Sequence, residues 1–117
     1  PLPLLRRGQQ VSTLTGDTTM CVLWNELGEI PTVEHRLQPG DAIAFYTDGI
    51  TGRQGADGTM FDLDRLTDAL SRAGPRPPSE VVAAIVGELD AFAGAREADD
   101  DQTLLVVGLR SATSADD

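Results

Sequence analysis

The chain has 117 residues, of which 40% are hydrophobic, so it is long enough to form one domain with a buried core. Its 19 acidic residues outnumber its nine basic ones, and a net charge of -10 argues against partners such as nucleic acid or an anionic membrane surface. One cysteine excludes an internal disulfide, and neither a membrane-spanning apolar run nor a secretory leader is evident, so we expect a soluble cytoplasmic domain.

The first part of the chain is patterned as short strands. Runs of β-forming residues occur at 11–14, 20–24 and 32–37, and turn-forming residues separate them, which predicts a meander. Residues 38–41, Gln-Pro-Gly-Asp, form a further predicted turn. The strand predicted at 42–47 is apolar on both faces, which is typical of a central strand that is covered on two sides.

From residue 62 the apolar residues recur with a helical period. The first predicted helix ends at Gly74 and Pro75, and the second runs from 77–80 to Gly94. The apolar positions expected to face the core are Leu63, Leu66, Leu70 and Ala73 in the first helix and Val82, Ile85, Val86, Leu89 and Phe92 in the second. A closing strand at 103–109 precedes a predicted flexible tail at 111–117. This order predicts an α+β fold in which helices cover a mostly antiparallel sheet.

Two acidic turns stand at the ends of the predicted inner strands. Asp48 follows the strand at 42–47, and Asp100 precedes the strand at 103–109. If these strands are antiparallel neighbours, both carboxylates lie at one edge of the sheet and form a site for a hard divalent cation. Taken alone, Asp48-Gly49 is more typical of a hairpin turn, and residues 99–101 are typical of a solvated acidic loop. The pairing of the two segments favours the metal site.

Several motifs in this order resemble the C-terminal half of the PP2C-like (PPM) serine/threonine phosphatases of the SpoIIE/RsbU type. They are Leu-Gln-Pro-Gly-Asp at 37–41, Phe-Tyr-Thr-Asp-Gly-Ile at 45–50, Phe61 with Arg65-Leu66, and Asp-Asp-Gln-Thr-Leu-Leu-Val-Val at 100–107. The resemblance covers residues 1–110. It implies that the chain begins in mid-domain, after the half that supplies a further metal-binding aspartate. Asp62 stands where the family frequently has a glycine.

The resemblance implies an α-β-β-α sandwich with two Mn²⁺ or Mg²⁺ ions at one end. Carried over by position, Asp48 and Asp100 are the expected metal ligands, and there is no further catalytic side chain, because the nucleophile in this family is a metal-held water. Gly49 is expected to let the backbone pass close to the metals. Asp101 and Thr103 are expected to orient a ligand rather than to bind metal.

Three functions are compatible with the sequence. The first is a metal-dependent phosphoprotein phosphatase that acts on a phosphoserine or phosphothreonine of a regulatory protein, which the resemblance suggests is an anti-sigma-factor antagonist; the fragment alone is expected to be inactive. The second is a degenerate relative that serves as a binding or regulatory module. The third is an unrelated α+β interaction domain. Retention of both Asp48 and Asp100 favours the first, because two carboxylates repel each other unless a cation lies between them.

Overall fold

The computed structural model describes residues 1–14 and 34–110, which contain four strands and three helices. In chain order these elements are β1 (Leu4–Arg7), β2 (Gln10–Thr13), β3 (Ala42–Tyr46), α1 (Asp48–Thr51), α2 (Asp62–Ala73), α3 (Pro78–Ala93) and β4 (Leu104–Gly108). None of the described helices is both long and apolar enough to cross a membrane.

The four strands form one antiparallel sheet in the order β2-β1-β3-β4. Ala44 in the middle of β3 pairs with Leu4 of β1 on one side and with Val106 of β4 on the other. The predictions that the strand after residue 41 is central and that the closing strand lies beside it are therefore confirmed. So is the predicted α+β class.

The two long helices cover one face of this sheet. Leu4, Ala44 and Val106 point to that face and are buried in a common core with side chains of α2 and α3. The opposite face carries Phe45 and Leu105, which remain 41% and 55% exposed. The expectation that β3 is covered on both sides is thus not met by the described residues, because α2 and α3 lie on the same side.

Helix α2 begins and ends where the sequence predicts. Leu66 and Leu70 are fully buried, whereas Leu63 is only partly buried. The helix begins at Asp62 with a φ of 65°, which is the only positive value of a non-glycine residue in the described chain. This left-handed conformation explains why a glycine suits the position. The Asp62 carboxylate accepts a hydrogen bond from the Leu63 N–H at 2.7 Å, an interaction that favours aspartate in such a conformation.

Helix α3 has the predicted length, and the prediction that Ile85 and Leu89 face the core is confirmed, but the buried valine is not one of the predicted ones. Val81, Ile85 and Leu89 are at most 1% exposed. Val86, which the sequence places in the core, is 39% exposed, and Val82 is only partly buried. The helix is apolar over most of its surface near its start, so its sequence pattern alone does not distinguish Val81 from Val82. Packing on the sheet selects the i, i+4 series that begins at Val81.

The strand predictions before residue 42 are only partly tested. Strand β2 matches the predicted run at 11–14 to within one residue, and β1 was not predicted. The predicted strand at 20–24 and the tail at 111–117 lie outside the described residues. Residues 34–37, which are part of the strand predicted at 32–37, form no strand. The Arg36 carbonyl accepts a hydrogen bond from the Arg7 side chain and not from the backbone of a neighbouring strand. The predicted turn at 38–41 is present, with Asp41 N–H donating to the Gln38 carbonyl at 3.0 Å.

Candidate metal centre

The hydrogen bonding between β3 and β4 continues beyond the last strand pair. Tyr46 pairs with Leu104, and the next residue, Thr47, donates its N–H to the Thr103 carbonyl at 3.1 Å. The Thr103 N–H in turn donates to the Thr47 hydroxyl at 3.1 Å. The end of β3 and the approach to β4 are therefore held together, so that Asp48 and the segment containing Asp100 lie at one end of the sheet.

Gly49 lies directly against the backbone of the second acidic segment. A Cβ atom at this position would lie 1.9 Å from the carbonyl oxygen of Asp101 and 2.8 Å from its carbonyl carbon. Both distances are far inside van der Waals contact, and backbone atoms have little freedom to move aside. Only glycine permits this approach. The role that the structure gives Gly49 is thus to bring residues 48–49 and 100–101 together.

Asp48 opens a short helix rather than a hairpin. The Ile50 N–H donates to the Thr47 carbonyl at 2.9 Å, and the Gly52 N–H donates to the Asp48 carbonyl at 2.7 Å. Ile50 is 2% exposed and anchors this turn in the core, whereas the Asp48 residue is exposed. The hairpin alternative is therefore wrong: the chain turns into α1, which leaves the carboxylate at the surface of the sheet edge.

The charge of Asp48 affects its neighbour on β3. The pKa of the Tyr46 phenol lies above its ordinary value, chiefly because the ring is partly buried and additionally because the negative charge of Asp48 disfavours a phenolate. Tyr46 thus remains a neutral hydroxyl beside Asp48 at physiological pH.

The second acidic segment is exposed and has no regular secondary structure. Asp100 accepts a hydrogen bond from the Asp101 N–H at 2.8 Å, which orients its carboxylate locally. Asp101 contributes its backbone carbonyl to the contact with Gly49, and Thr103 contributes its backbone to the contacts with Thr47. In these contacts, the two residues predicted to support the site act through their backbones.

Two arginines form hydrogen bonds between the loop that follows α1 and the loop that precedes Asp100. The Arg53 guanidinium, after α1, donates to the Arg96 carbonyl, before Asp100. Arg96 donates back to the Gly55 carbonyl at 3.5 Å. The sequence analysis predicts no role at this site for either arginine, and it does not predict Thr47 as a positioning residue. Thr47 alone had a usable signal, because it lies within the Thr-Asp-Gly motif.

The donor types at this edge fit a hard divalent cation, for which carboxylate oxygens are the preferred ligands. The Gly49 contact draws two such segments together. Within residues 1–14 and 34–110, no group of three or more histidine, cysteine, aspartate or glutamate side chains is arranged to hold a metal ion. Within these residues, no third side chain of this kind joins Asp48 and Asp100, so the described part of the chain contains no complete ligand set.

Two solved phosphatase domains are similar in structure to this chain. A solved PP2C domain of SiaA from Pseudomonas aeruginosa is 26% identical to the chain, with a TM-score of 0.79, and the match covers 92% of this chain and 43% of that one. The phosphatase domain of the cell fate determinant SpoIIE from Bacillus subtilis, presoaked with Mn, is 20% identical with a TM-score of 0.72, covering 97% of this chain and 48% of that one. The chain therefore spans less than half of either structure. No curated protein matches it.

The family comparison agrees with the structural one. The family described as Stage II sporulation protein E (SpoIIE) matches residues 1–110, which include every strand and helix described above as well as both acidic segments. The structural matches to PP2C domains likewise cover more than nine-tenths of the chain. The chain therefore belongs to the SpoIIE family and forms part of a PP2C-like phosphatase fold.

Proposed function

We propose that the protein containing this chain is a metal-dependent phosphoprotein phosphatase that hydrolyses phosphoserine or phosphothreonine. The observation that carries this proposal is the convergence of the Asp48 and Asp100 segments at one end of the sheet, enforced by the contact of Gly49 with the Asp101 carbonyl. Membership of the SpoIIE family and the match to PP2C domains support the phosphatase type of function.

In this proposal Asp48 and Asp100 hold Mn²⁺ or Mg²⁺ together with a further carboxylate from outside the described residues. Bound metal of this kind activates water and neutralises charge on a phosphoryl group. Gly49 keeps the two acidic segments in contact, and Thr47 fixes the approach to β4 through its hydroxyl.

The substrate that we propose is a phosphorylated regulatory protein in the cytoplasm, such as an anti-sigma-factor antagonist, so that the reaction serves signalling and sigma-factor regulation. Family membership supports this choice. The competing function is a degenerate PP2C-like binding module. The exposed pair of carboxylates argues against it, because carboxylates that bind no cation gain nothing from being drawn together.

Hydrolysis of a phosphoserine peptide by the full-length protein, followed as phosphate release with and without Mn²⁺, tests this function. We expect release that requires Mn²⁺ and stops when EDTA is added. Residues 1–117 alone should release little phosphate, because an incomplete ligand set does not fix two ions about 3.5 to 4 Å apart. Metal binding without any phosphate release from a range of phosphopeptides would favour the binding module instead.

A further inference from the structure

A second site candidate lies at the other end of the sheet. A cavity of about 640 Å³ opens between the start of β3, the end of β4 and the loop that joins α2 to α3. Its volume is within the range of about 300 to 1,000 Å³ that is typical of small-molecule sites. Asp48 lies seven residues after Asp41, which separates this cavity from the metal edge by roughly 20 Å at the usual rise of an extended chain.

Arg6 is a buried cation on the wall of this cavity. It is 2% exposed, and its guanidinium donates to the carbonyls of Gly8 and Gly40 at 3.0 and 3.3 Å. Its Nε is buried and has no hydrogen-bond partner among the described residues. Burial lowers the pKa of Arg6, which reflects the cost of holding this charge away from water.

The nearest carboxylate is already occupied by another arginine. Asp41 accepts three hydrogen-bond contacts from Arg7, at 2.7, 3.1 and 3.2 Å, and one from the Gln38 N–H at 2.7 Å. Arg6 makes no ion pair with Asp41 and is affected only by its charge from a distance. Buried charges are ordinarily paired, so Arg6 is a cation for which the described residues supply no direct anionic partner.

Two further arginines line the same cavity. Arg76 and Arg110 are both exposed, and together with Arg6 they place three of the nine basic residues of an acidic chain around one opening. The N-terminus of α3 adds the positive end of a helix dipole. The Glu80 and Val81 N–H groups are bonded to the Pro77 carbonyl, so the arginines, and not these amides, are the available donors.

The remaining walls are largely apolar. They include Pro39, Pro77, Pro78, Val81 and Val106. Pro78 packs closely on Gly108, because a Cβ added at Gly108 would lie 3.2 Å from the Pro78 Cγ. A ligand that fills this space therefore needs an apolar body as well as a negative charge. Arginine side chains suit phosphoryl groups, because their planar fork of donors matches the phosphate oxygens.

We propose that the cavity bounded by Arg6, Arg76, Arg110 and the start of α3 binds a small organic phosphate, with the phosphoryl group on the arginines and the apolar body against the proline and valine walls. The cavity is lined by these three arginines and by one carboxylate, that of Asp41, which is already paired with Arg7. This excess of positive charge favours a dianion over a monoanion. The site is separate from the metal edge and does not require the metal.

Phenylphosphonate is a suitable probe, because it joins a phosphoryl dianion to an apolar ring and cannot be hydrolysed as an ester. Its binding to the full-length protein should be measured calorimetrically in EDTA, which keeps the metal edge from contributing. We expect saturable binding that weakens about tenfold in Arg76→Gln and in Arg110→Gln, since each variant loses a charge-assisted hydrogen bond. Both residues are exposed, so neither variant should unfold. Arg72→Gln, an exposed arginine of α2 that is paired with Glu88, is the matched control and should bind normally.

Two further binding measurements, one with benzoate and one with a shortened chain, test what occupies the cavity. Benzoate should bind more weakly than phenylphosphonate, because it carries one negative charge instead of two, and equal affinity would overturn the assignment of a phosphoryl group. A variant ending at Arg110 that binds phenylphosphonate when the full chain does not would also overturn the proposal, since the acidic segment 111–117 would then be the occupant. Absence of binding to both proteins, or unchanged binding in both arginine variants, would overturn it as well.

Discussion

At the scale of single residues, the candidate metal centre depends on one glycine. The Asp48 and Asp100 carboxylates are exposed and could point in many directions, but the backbone beneath them is fixed because Gly49 touches the Asp101 carbonyl. The hydrogen bonds between Thr47 and Thr103 fix the same junction from the strand side. The backbone positions of the two acidic segments are thus determined by Gly49, Thr47 and Thr103, none of which is a predicted metal ligand.

Gly49→Ala should disrupt this junction. The added methyl group would overlap the Asp101 carbonyl, so either α1 or the 100–101 segment must move, at a cost of about 1 to 3 kcal/mol in the free energy of unfolding. Chemical denaturation of the full-length protein measures this cost, and Mn²⁺ titration should show weaker metal binding at the same time.

Gly87→Ala is the control for this substitution. Gly87 lies within α3, and an added Cβ meets nothing within 4 Å. Replacing a helical glycine with alanine should raise the free energy of unfolding by about 0.5 to 1 kcal/mol. If Gly49→Ala were as stable as the unchanged protein and bound Mn²⁺ equally well, the contact with Asp101 would not position the site.

A second prediction at this scale concerns the ion pair of Arg7 and Asp41. Hydrogen bonds from Arg7 hold the pKa of the buried Asp41 below its ordinary value, and the Gln38 N–H adds to this effect. The folded state therefore binds this proton less readily than the unfolded state does. The resulting stability is present above the ordinary aspartate pKa of about 3.9 and is lost as the pH falls through the lower, folded pKa.

Arg7→Gln should remove the largest part of this effect. The free energy of unfolding should fall at pH 7 and should decline less steeply on acidification below about pH 4. Unfolding curves of the full-length protein at a series of pH values give both quantities. Arg36→Gln, which removes a neighbouring exposed arginine, is the control. An acid decline as steep in Arg7→Gln as in the unchanged protein would show that Asp41 owes its low pKa to other groups.

At the scale of secondary structure elements, the sheet decides which side of each helix is buried. Helix α2 has separate apolar and polar faces, so its sequence predicts the buried Leu66 and Leu70 correctly. Helix α3 has valines at 81, 82 and 86, and only contact with the sheet selects Val81 and excludes Val86. The local period of a sequence fixes a buried stripe only where polar residues bound it on both sides.

The two helical positions 85 and 86 provide a direct test. Ile85 is fully buried in the core and Val86 is 39% exposed. Ile85→Ala should lower the free energy of unfolding by about 2 to 5 kcal/mol, because it leaves a cavity against the sheet. Val86→Ala should change it by no more than about 0.5 kcal/mol, as is usual for surface substitutions. Denaturant unfolding of the two variants side by side measures this difference, and equal losses would show that α3 is rotated relative to the orientation described above.

The strands show the same dependence on context. The apolar run at 42–47 and the closing run after residue 103 are strong signals, and β3 and β4 form where they are predicted. Strand β1 has two arginines in four residues and gives a weak signal. It forms because it lies between β2 and β3 and pairs with both. Its Arg6 is buried through hydrogen bonds to backbone carbonyls, which no sequence pattern reveals.

At the scale of the whole molecule, residues 1–14 and 34–110 form one sheet with α2 and α3 on a single face. The other face carries Phe45, Leu105 and Val107, each more than two-fifths exposed. We expect a second sheet of the PP2C-like sandwich to pack on this face, since the chain spans only 43% and 48% of the two solved phosphatase structures described above. The described residues likewise bring two carboxylate-bearing segments together but contain no group of three side chains arranged to hold a metal ion.

The central claim, that Asp48 and Asp100 are metal ligands of a phosphatase, is tested most directly by calorimetric titration of the metal-free, full-length protein with Mn²⁺. Asp48→Asn and Asp100→Asn should each weaken Mn²⁺ binding by at least about tenfold, which is the smallest loss expected even for residues that only support a ligand. Their unfolding curves should resemble that of the unchanged protein. Asp99→Asn, which removes the adjacent exposed carboxylate, should bind Mn²⁺ normally. Undiminished Mn²⁺ binding in Asp48→Asn or in Asp100→Asn would contradict the assignment of that residue as a ligand.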